Sequence, residues 1–208
     1  MRKKIILIGG GGHCKSVIEV LEALEYPILG VLDIPEKIGE KVLSTSVIGT
    51  DDDIYKYKDS ATFIITVGFI KDPSIRIKLY NKVKDNGGQL ETIIAPTAYV
   101  SRYATIEEGT IVMHKAVVNA EVRIGKNCII NTLSNIEHEA VIGNNCHIST
   151  GAMVNGGCTI GSNTFIGSQS VLAHGISIGE NSIISAGAFV HKSISSGIYV
   201  GNPAKKIR

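Results

Sequence analysis

Residues 118–148 read VNAEVRIGKNCIINTLSNIEHEAVIGNNCHI, and an aliphatic residue stands at every sixth position of this stretch, beginning at Val118. The series continues in both directions with the same step, from Val100 to Val190, and all sixteen members are Ile, Val or Leu. An unbroken series of this length excludes coincidence and indicates a structural repeat of six residues.

A second, mostly small series follows each aliphatic residue by four positions and includes Cys128, Cys146 and Cys158. Both series are expected to point inward. A six-residue unit is too short for a helix but fits one short strand and a bend. Three units would close a triangular coil of about 18 residues, stacked ~4.8 Å from the next. The pattern predicts a parallel β-helix of about five coils, with these three cysteines packed as small core residues.

The preceding residues follow a different pattern, in which apolar strand-like runs alternate with helical spacing. Strands are predicted over 4–8, 28–32, 63–67 and 90–94, and helices over 16–24 and 74–85, with a further helix start capped by Thr50. This order is typical of a small Rossmann-like α/β domain. We therefore expect two domains, 1–95 and 96–208.

Composition excludes several classes of protein. The chain carries 21 Lys and Arg against 19 Asp and Glu, without a long basic run, so it lacks the charge pattern of a nucleic-acid-binding protein. Its apolar runs are shorter than the ~18 residues of a membrane span, and no signal peptide is expected. The four cysteines lack the paired spacing of zinc or redox sites, so we expect a reduced, cytoplasmic protein without metal.

Four glycines and a histidine, Gly9-Gly10-Gly11-Gly12-His13, stand between the first strand and the first helix. Glycines at such a turn let backbone N–H groups approach an anionic ligand at the helix N-terminus. Asp33, at the end of the second strand, stands where a ribose or base contact would be expected. The turn indicates nucleotide or phosphate binding, with a purely structural turn as the alternative.

His138 is the histidine whose surroundings most favour chemistry, because Glu137 and Glu139 flank it. A neighbouring carboxylate can orient an imidazole and raise its basicity. The repeat places His138 and His174 on one face, two coils and roughly 10 Å apart, with Gly156 between them. This arrangement predicts a notch wide enough for a slender chain, although a histidine on a coil face can also be only a surface residue.

Several motifs together resemble a family: the glycine turn ending in His13, the run from Asn131 through Ile136-Glu137-His138-Glu139, the His147-Ile148-Ser149 step, and the closing Gly201-Asn202-Pro203-Ala204. They are similar to bacterial sugar acetyltransferases of the hexapeptide-repeat superfamily, which includes the sialic acid O-acetyltransferases (NeuD) and the UDP-4-amino-sugar N-acetyltransferases (PglD). The resemblance covers essentially the whole chain. It implies a left-handed β-helix, a homotrimer, and acetyl-CoA bound along the groove between adjacent β-helices.

The resemblance also implies roles for individual residues. His138 would be the general base and Glu139 the group that raises its basicity. The residues implied to line the acetyl-CoA groove are His147, Gly156, Ser168 and Ala186, with His147 near the thioester. Those implied to contact the sugar nucleotide are Gly11, Gly12, His13, Asp33 and Gly68.

The sequence thus predicts an acetyl-CoA-dependent transferase that acetylates the amino group of a nucleotide-linked 4-amino-4,6-dideoxy sugar for surface glycan biosynthesis. O-acetylation of sialic acid or a related nonulosonate is the alternative within the class. A non-catalytic sugar-nucleotide-binding scaffold and, on the glycine turn alone, an NAD-dependent oxidoreductase are alternatives from other classes. Ile34 stands where some relatives have a second acid, which weakens the case for a UDP-sugar.

Overall fold

The computed structural model describes residues 3–208. The N-terminal part is an α/β unit with a five-stranded sheet, whose strands lie in the order Lys41–Val42, Thr45–Gly49, Ile28–Leu32, Lys4–Ile8 and Ala61–Ile65 and are parallel except where the first two meet. The first strand, KIILI, lies in the middle of the sheet. It is apolar and almost entirely buried because helices and loops cover both faces of the sheet. The elements are β1 (Lys4–Ile8), α1 (Gly12–Ala23), β2 (Ile28–Leu32), β3 (Lys41–Val42), β4 (Thr45–Gly49), α2 (Ile54–Tyr57), β5 (Ala61–Ile65) and α3 (Ser74–Asp85).

Local signals identified most of these elements. Helix α3 spans Ser74–Asp85 as predicted, and Thr50 caps a short 3-10 turn before α2 in a capping box with Asp53. Helix α1 begins at Gly12, four residues earlier than predicted, because the glycine turn itself enters the helix. The hairpin of β3 and β4, which covers one edge of the sheet, was not predicted.

The prediction of a fourth α/β strand over 90–94 is wrong. Leu90 makes only an isolated bridge to Phe63, and Ile93–Ile94 pairs instead with Ile111–Val112 as the first strand of the repeat region. A short apolar run can pair with either of two neighbouring strands. Ile111–Val112, which follows by 18 residues, is the stacking partner of Ile93–Ile94 in the repeat, and this pairing decides where the run lies.

The rest of the chain is a left-handed parallel β-helix whose three faces are stacks of short strands. The first face contains β6 (Ile93–Ile94), β9 (Ile111–Val112), β12 (Ile129–Ile130), β15 (His147–Ile148), β18 (Phe165–Ile166), β21 (Ile183–Ile184) and β23 (Ile198–Val200), and it ends in β24 (Lys205–Lys206), which pairs antiparallel with β23. The second contains β7 (Tyr99–Val100), β10 (Val117–Val118), β13 (Asn135–Ile136), β16 (Met153–Val154), β19 (Val171–Leu172) and β22 (Phe189–Val190). The third contains β8 (Thr105–Ile106), β11 (Arg123–Ile124), β14 (Val141–Ile142), β17 (Thr159–Ile160) and β20 (Ser177–Ile178).

Successive coils pair in register at 18 residues as far as Val190, as Ile130 with Ile148 and Ile136 with Val154, and the last turn is shorter, with Ile183 paired to Ile198. The predicted triangular coil is therefore confirmed. Buried aliphatic residues fill the interior together with the small series, which includes Cys128, Cys146 and Cys158. These three cysteines and Cys14 of α1 are free and buried. Small and aliphatic residues suffice through most of this core, since each coil repeats the same narrow cross-section, and Tyr199 packs into its C-terminal end.

One corner of the β-helix carries a ladder of asparagines in the left-handed backbone conformation, which Asn tolerates better than most residues. The amide of Asn127 donates to Asn145 at 2.9 Å, Asn145 to Asn163 at 3.1 Å, and Asn163 to Asn181 at 3.2 Å. The ladder fixes the bend after the third face in four successive coils.

Candidate active site

His138 lies at the corner that follows β13, on the surface of the β-helix. Its Nδ1 is 3.0 Å from Oε2 of Glu139, and both side chains are more than half exposed. An ionised carboxylate can only accept a hydrogen bond, so Nδ1 carries the proton and Nε2 of the neutral ring keeps its lone pair. The geometry gives His138 a free basic nitrogen at a solvent-accessible corner.

Gly156 and His174 lie beside this imidazole on the same corner. A Cβ atom at position 156 would lie 2.6 Å from both Cε1 and Nε2 of His138, so the ring occupies the space that a side chain would fill. The rings of His138 and His174 are 6.0 Å apart. The predicted open notch between the two histidines is therefore wrong, because His138 leans over Gly156 toward His174 and closes it.

Glu137, the second carboxylate adjacent to His138, is held in place by two side-chain amides. Glu137 accepts hydrogen bonds from the side-chain amides of Asn135 and Asn119, each at 2.9 Å. The amide of Asn135, then that of Asn119, and the His138 backbone N–H lower the pKa of Glu137 against the effect of its partial burial. Glu137 thus keeps a fixed negative charge beside the imidazole.

A cleft of about 260 Å³ opens at the carboxyl ends of β1, β2 and β5. Ligands of open α/β sheets bind at this edge. Its wall is mainly apolar, and its polar side chains are Asp33, Thr50, Asp51 and Asp52.

Asp33 is the best-held polar side chain of the cleft. It accepts hydrogen bonds from the backbone N–H of Ile34 and of Gly10, each at 2.8 Å, and from Lys37 at 3.0 Å. Partial burial alone would raise the pKa of Asp33, but these donors outweigh it and lower that pKa. A Cβ atom at Gly10 would lie 2.7 Å from Asp33 Oδ2, so the bond between the glycine turn and β2 requires glycine there.

The three glycines predicted to contact substrate are open. Gly11, Gly12 and Gly68 are exposed, and no atom would lie within 4 Å of a Cβ atom at any of them. Gly11 and Gly12 stand at the N-terminus of α1, where backbone N–H groups lack intrahelical partners. A ligand can therefore approach this backbone closely.

His147 lies on the first face of the β-helix and is only 8% exposed. It is part of the seam, the contact between the β-helix and the α/β unit at which His147 meets Phe69. Its Nδ1–H donates to the Phe69 carbonyl oxygen at 2.7 Å, and its Nε2 accepts from Asn131 at 3.2 Å. The rings of Phe69 and Phe165 pack edge-on against it. Burial lowers the pKa of His147 to about 4, so the ring is neutral.

His13 reaches the same seam from the start of α1. Burial, the charge of Arg76 and the imidazole of His147 lower the pKa of His13 to about 3. Its Nε2 is buried and has no hydrogen-bond partner among residues 3–208. A buried polar atom without a partner is unfavourable, so a polar group placed against this nitrogen would be stabilising.

Ser168 and Ala186 stack at the corner after the first face, whereas His138 and Gly156 lie at the corner after the second. Ser168 shares a 2.9 Å hydrogen bond with Ser149, and Ala186 is exposed. Of the residues predicted to line the acetyl-CoA groove, Gly156 thus lies at one corner and Ser168 and Ala186 at another, while His147 is buried in a strand of the first face.

Arg76, Phe69 and Asn131 also belong to this region, although the sequence pattern did not predict it. Arg76 and Phe69 lie in a segment with only ordinary helical and loop signals, and nothing in it indicates contact with residues of the repeat. Asn131 was noted only as part of a motif.

In the part of the chain from Lys3 onward, no three His, Cys, Asp or Glu side chains are grouped to hold a metal ion. No helix in that part is long and apolar enough to cross a membrane.

Comparisons with known proteins agree with this architecture. Residues 4–83 match the family described as PglD N-terminal domain, and residues 121–156, 139–173 and 157–192 match bacterial transferase hexapeptide (six repeats). A mutant of perosamine N-acetyltransferase from Caulobacter crescentus, solved with CoA and GDP-perosamine, is 30% identical. The match covers 100% of this chain and 98% of that one, with a TM-score of 0.93.

Two further relatives extend the comparison. The acetyltransferase domain of PglB from Neisseria gonorrhoeae, solved with acetyl coenzyme A, is 29% identical over 100% of both chains with a TM-score of 0.92. An uncharacterized protein of Acanthamoeba polyphaga mimivirus is 36% identical over 123 residues, which are 58% of this chain and 23% of the relative. The chain thus spans less than a quarter of that curated relative. The matches over both parts of the chain show that it belongs to the PglD/NeuD-like family of hexapeptide-repeat sugar acyltransferases.

Proposed function

We propose that this protein transfers the acetyl group of acetyl-CoA to the amino group of a nucleotide-linked 4-amino-4,6-dideoxy sugar. The observation that carries the proposal is the His138–Glu139 pair, which leaves Nε2 of an exposed imidazole free to accept a proton. Whole-chain likeness to an enzyme crystallised with CoA and GDP-perosamine supports the choice of both substrates.

In the proposed reaction, the sugar amine attacks the thioester carbonyl carbon while His138 Nε2 removes a proton from the nitrogen. The tetrahedral intermediate then expels the CoA thiolate, which takes the proton from the imidazolium. The products are the N-acetylated sugar and free CoA. Both ring nitrogens of His147 already have partners, so a backbone N–H is the better donor to the oxyanion.

The sugar nucleotide would occupy the cleft of the α/β unit. Backbone N–H groups of Gly11 and Gly12 at the start of α1 suit a diphosphate, and the Asp33 carboxylate suits hydroxyl or N–H donors of the nucleoside. Gly68 directly follows Val67 of the cleft wall and is proposed to contact the ligand through its exposed backbone, and the unpartnered Nε2 of His13 would bond a polar atom of the ligand.

The acetyl-CoA site would be completed by a second copy of the chain. His138 and Gly156 lie at one corner, while Ser168 and Ala186 lie at another, so a groove between two β-helices can bring the two sets together. We therefore propose a homotrimer in the cytoplasm, where thiols such as the four free cysteines stay reduced. A monomer by light scattering at micromolar concentration would contradict this site.

Thiol release from acetyl-CoA tests the function. The acceptors are GDP-, UDP- and dTDP-linked 4-amino-4,6-dideoxy sugars, with free and CMP-linked sialic acid as the competing acceptors. Turnover with at least one amino sugar, and an amide product by mass spectrometry, is the expected result. Turnover only with sialic acid would make the protein an O-acetyltransferase, and none with any acceptor would favour a binding scaffold.

A further inference from the structure

Arg76, on the first turn of α3, is a fully buried cation. No carboxylate among residues 3–208 forms an ion pair with it. Burial lowers the pKa of Arg76 only to about 10, so the guanidinium is charged at neutral pH. A buried charge is tolerated only where hydrogen bonds replace its hydration, so the contacts of Arg76 must be unusually complete.

Backbone carbonyls from both parts of the molecule supply these contacts. In the α/β unit, Nη1 donates to the carbonyl oxygens of Ile65 at 2.6 Å and Val67 at 3.0 Å. In the β-helix, Nε donates to Asn127 at 3.0 Å and Nη2 to Gly109 at 3.5 Å. One planar side chain therefore joins the end of β5 to two turns of the β-helix.

The segment that Arg76 holds, residues 65–69, connects the cleft to the seam. The Thr66 hydroxyl bonds the Ile8 carbonyl at 2.9 Å beside the glycine turn, and Val67 lines the cleft. Two residues later, the Phe69 carbonyl accepts the Nδ1–H of His147. A shift of this segment would move the cleft wall and the His147 bond together.

We propose that Arg76 is a positioning residue, whose guanidinium sets the path of residues 65–69 and so fixes the wall of the sugar-nucleotide cleft against the β-helix. The proposal rests on the proposed function for its kinetic consequence, but its structural part can be tested without turnover. The Arg76 side chain does not itself line the cleft or contact His138, and it acts through the backbone carbonyls that it binds, among them that of Val67 in the cleft wall.

The test is Arg76→Lys in the full chain, which keeps the charge but loses the planar fork that reaches both units. We expect the KM for the sugar nucleotide to rise roughly tenfold or more, with the KM for acetyl-CoA changed by less than about twofold. By NMR, the slowly exchanging Nδ1–H signal of His147 should broaden or disappear. A wild-type KM together with an intact His147 signal would overturn the proposal.

Tyr80→Phe is the matched control. Tyr80 lies on the same helix, and its hydroxyl donates to Glu108 of the β-helix at 2.6 Å, so its loss weakens the same seam away from residues 65–69. It should leave both KM values and the His147 signal unchanged. Equal effects of Tyr80→Phe and Arg76→Lys would reduce Arg76 to a general structural contact and so overturn the proposal.

If Arg76→Lys does not fold, the variant Phe69→Ala tests the proposal in its place. It removes the ring that packs on His147 and Phe165 at the far end of the segment and leaves Arg76 in place. The same selective rise in the KM for the sugar nucleotide is expected, and an unchanged KM would contradict the proposal.

If the wild-type protein turns over no acceptor, the proposed function fails, whereas the NMR comparison of Phe69→Ala and Tyr80→Phe still tests whether the segment holds His147.

Discussion

The imidazole of His138 lies in the space left by the missing side chain of Gly156, within 2.6 Å of where a Cβ atom would stand. The two residues are 18 positions apart and therefore stack in adjacent coils. This pairing holds the ring at the corner with its Nδ1 toward Glu139 and its centroid 6.0 Å from that of the His174 ring.

Gly156→Ala should therefore displace the ring. We expect kcat to fall by about 10²-fold, because a shift of about 1 Å in a catalytic group has effects of that size. Stability should change by only about 1–2 kcal/mol, since a side chain at the surface can move aside. Steady-state kinetics and thermal melting measure the two effects.

Asn155→Ala is the control at the same corner. It removes the hydrogen bond from the Asn155 amide to the Leu172 carbonyl, 2.7 Å, without placing an atom against His138. Its turnover should stay near that of the wild type. A wild-type kcat in Gly156→Ala would show that the observed ring position is not the one used in the reaction.

His138→Ala should reduce turnover by about 10²- to 10⁴-fold, the usual contribution of a general base. Glu139→Gln should reduce it by less than about tenfold, since the Glu139 side chain is 63% exposed and water screens its charge. His114→Gln, which alters an imidazole bonded to Thr97 at another corner, is the control. Unchanged activity in His138→Ala would remove this histidine from the mechanism.

Stability should fall in mild acid because His147 is buried in its neutral form. Its pKa of about 4 lies below the ordinary value of 6.5, so the unfolded chain binds the proton more readily. The stabilisation is complete above pH 6.5 and is lost as the pH falls toward 4, amounting to roughly 3 kcal/mol by linkage. His13, with a pKa of about 3, adds to the same trend.

Urea unfolding at pH 7.5 and pH 4.5 measures this loss. In His147→Gln the difference between the two pH values should shrink, because the titrating group is gone. Carboxylates contribute in both proteins, so the comparison isolates the imidazole. An equal loss in the two proteins would show that His147 is not protonated on unfolding in this range.

Asp33→Asn should weaken binding of a nucleoside diphosphate about tenfold or more, since three donors converge on this carboxylate and an amide leaves one of them facing an NH₂ group. A stability loss of about 1–3 kcal/mol is expected for the same reason. Calorimetric titration with GDP, UDP and dTDP measures binding. Asp59→Asn, an exposed carboxylate outside the cleft, should bind like the wild type.

The β-helix was predictable because the residues that specify each coil are close together in the sequence and the same pattern repeats along the chain. Each coil needs the same aliphatic and small residues at fixed positions, so a step of six along the chain shows the fold directly. The glycine turn, Thr50 and α3 were predictable for a similar reason, as caps and turns depend on a few neighbouring residues. The strand predicted over 90–94 failed where two distant partners competed for one short apolar run.

What the sequence by itself determined is therefore the two folds, their order, and the carboxylates adjacent to His138. Only the tertiary structure decided that this imidazole closes the space over Gly156, that His147 is buried under Phe69, and that Arg76 joins the two units. These contacts join residues 18, 78 and 51 positions apart. The step of 18 brings Gly156 beside His138, but the direction of the ring and the docking of the α/β unit depend on packing that no local pattern encodes.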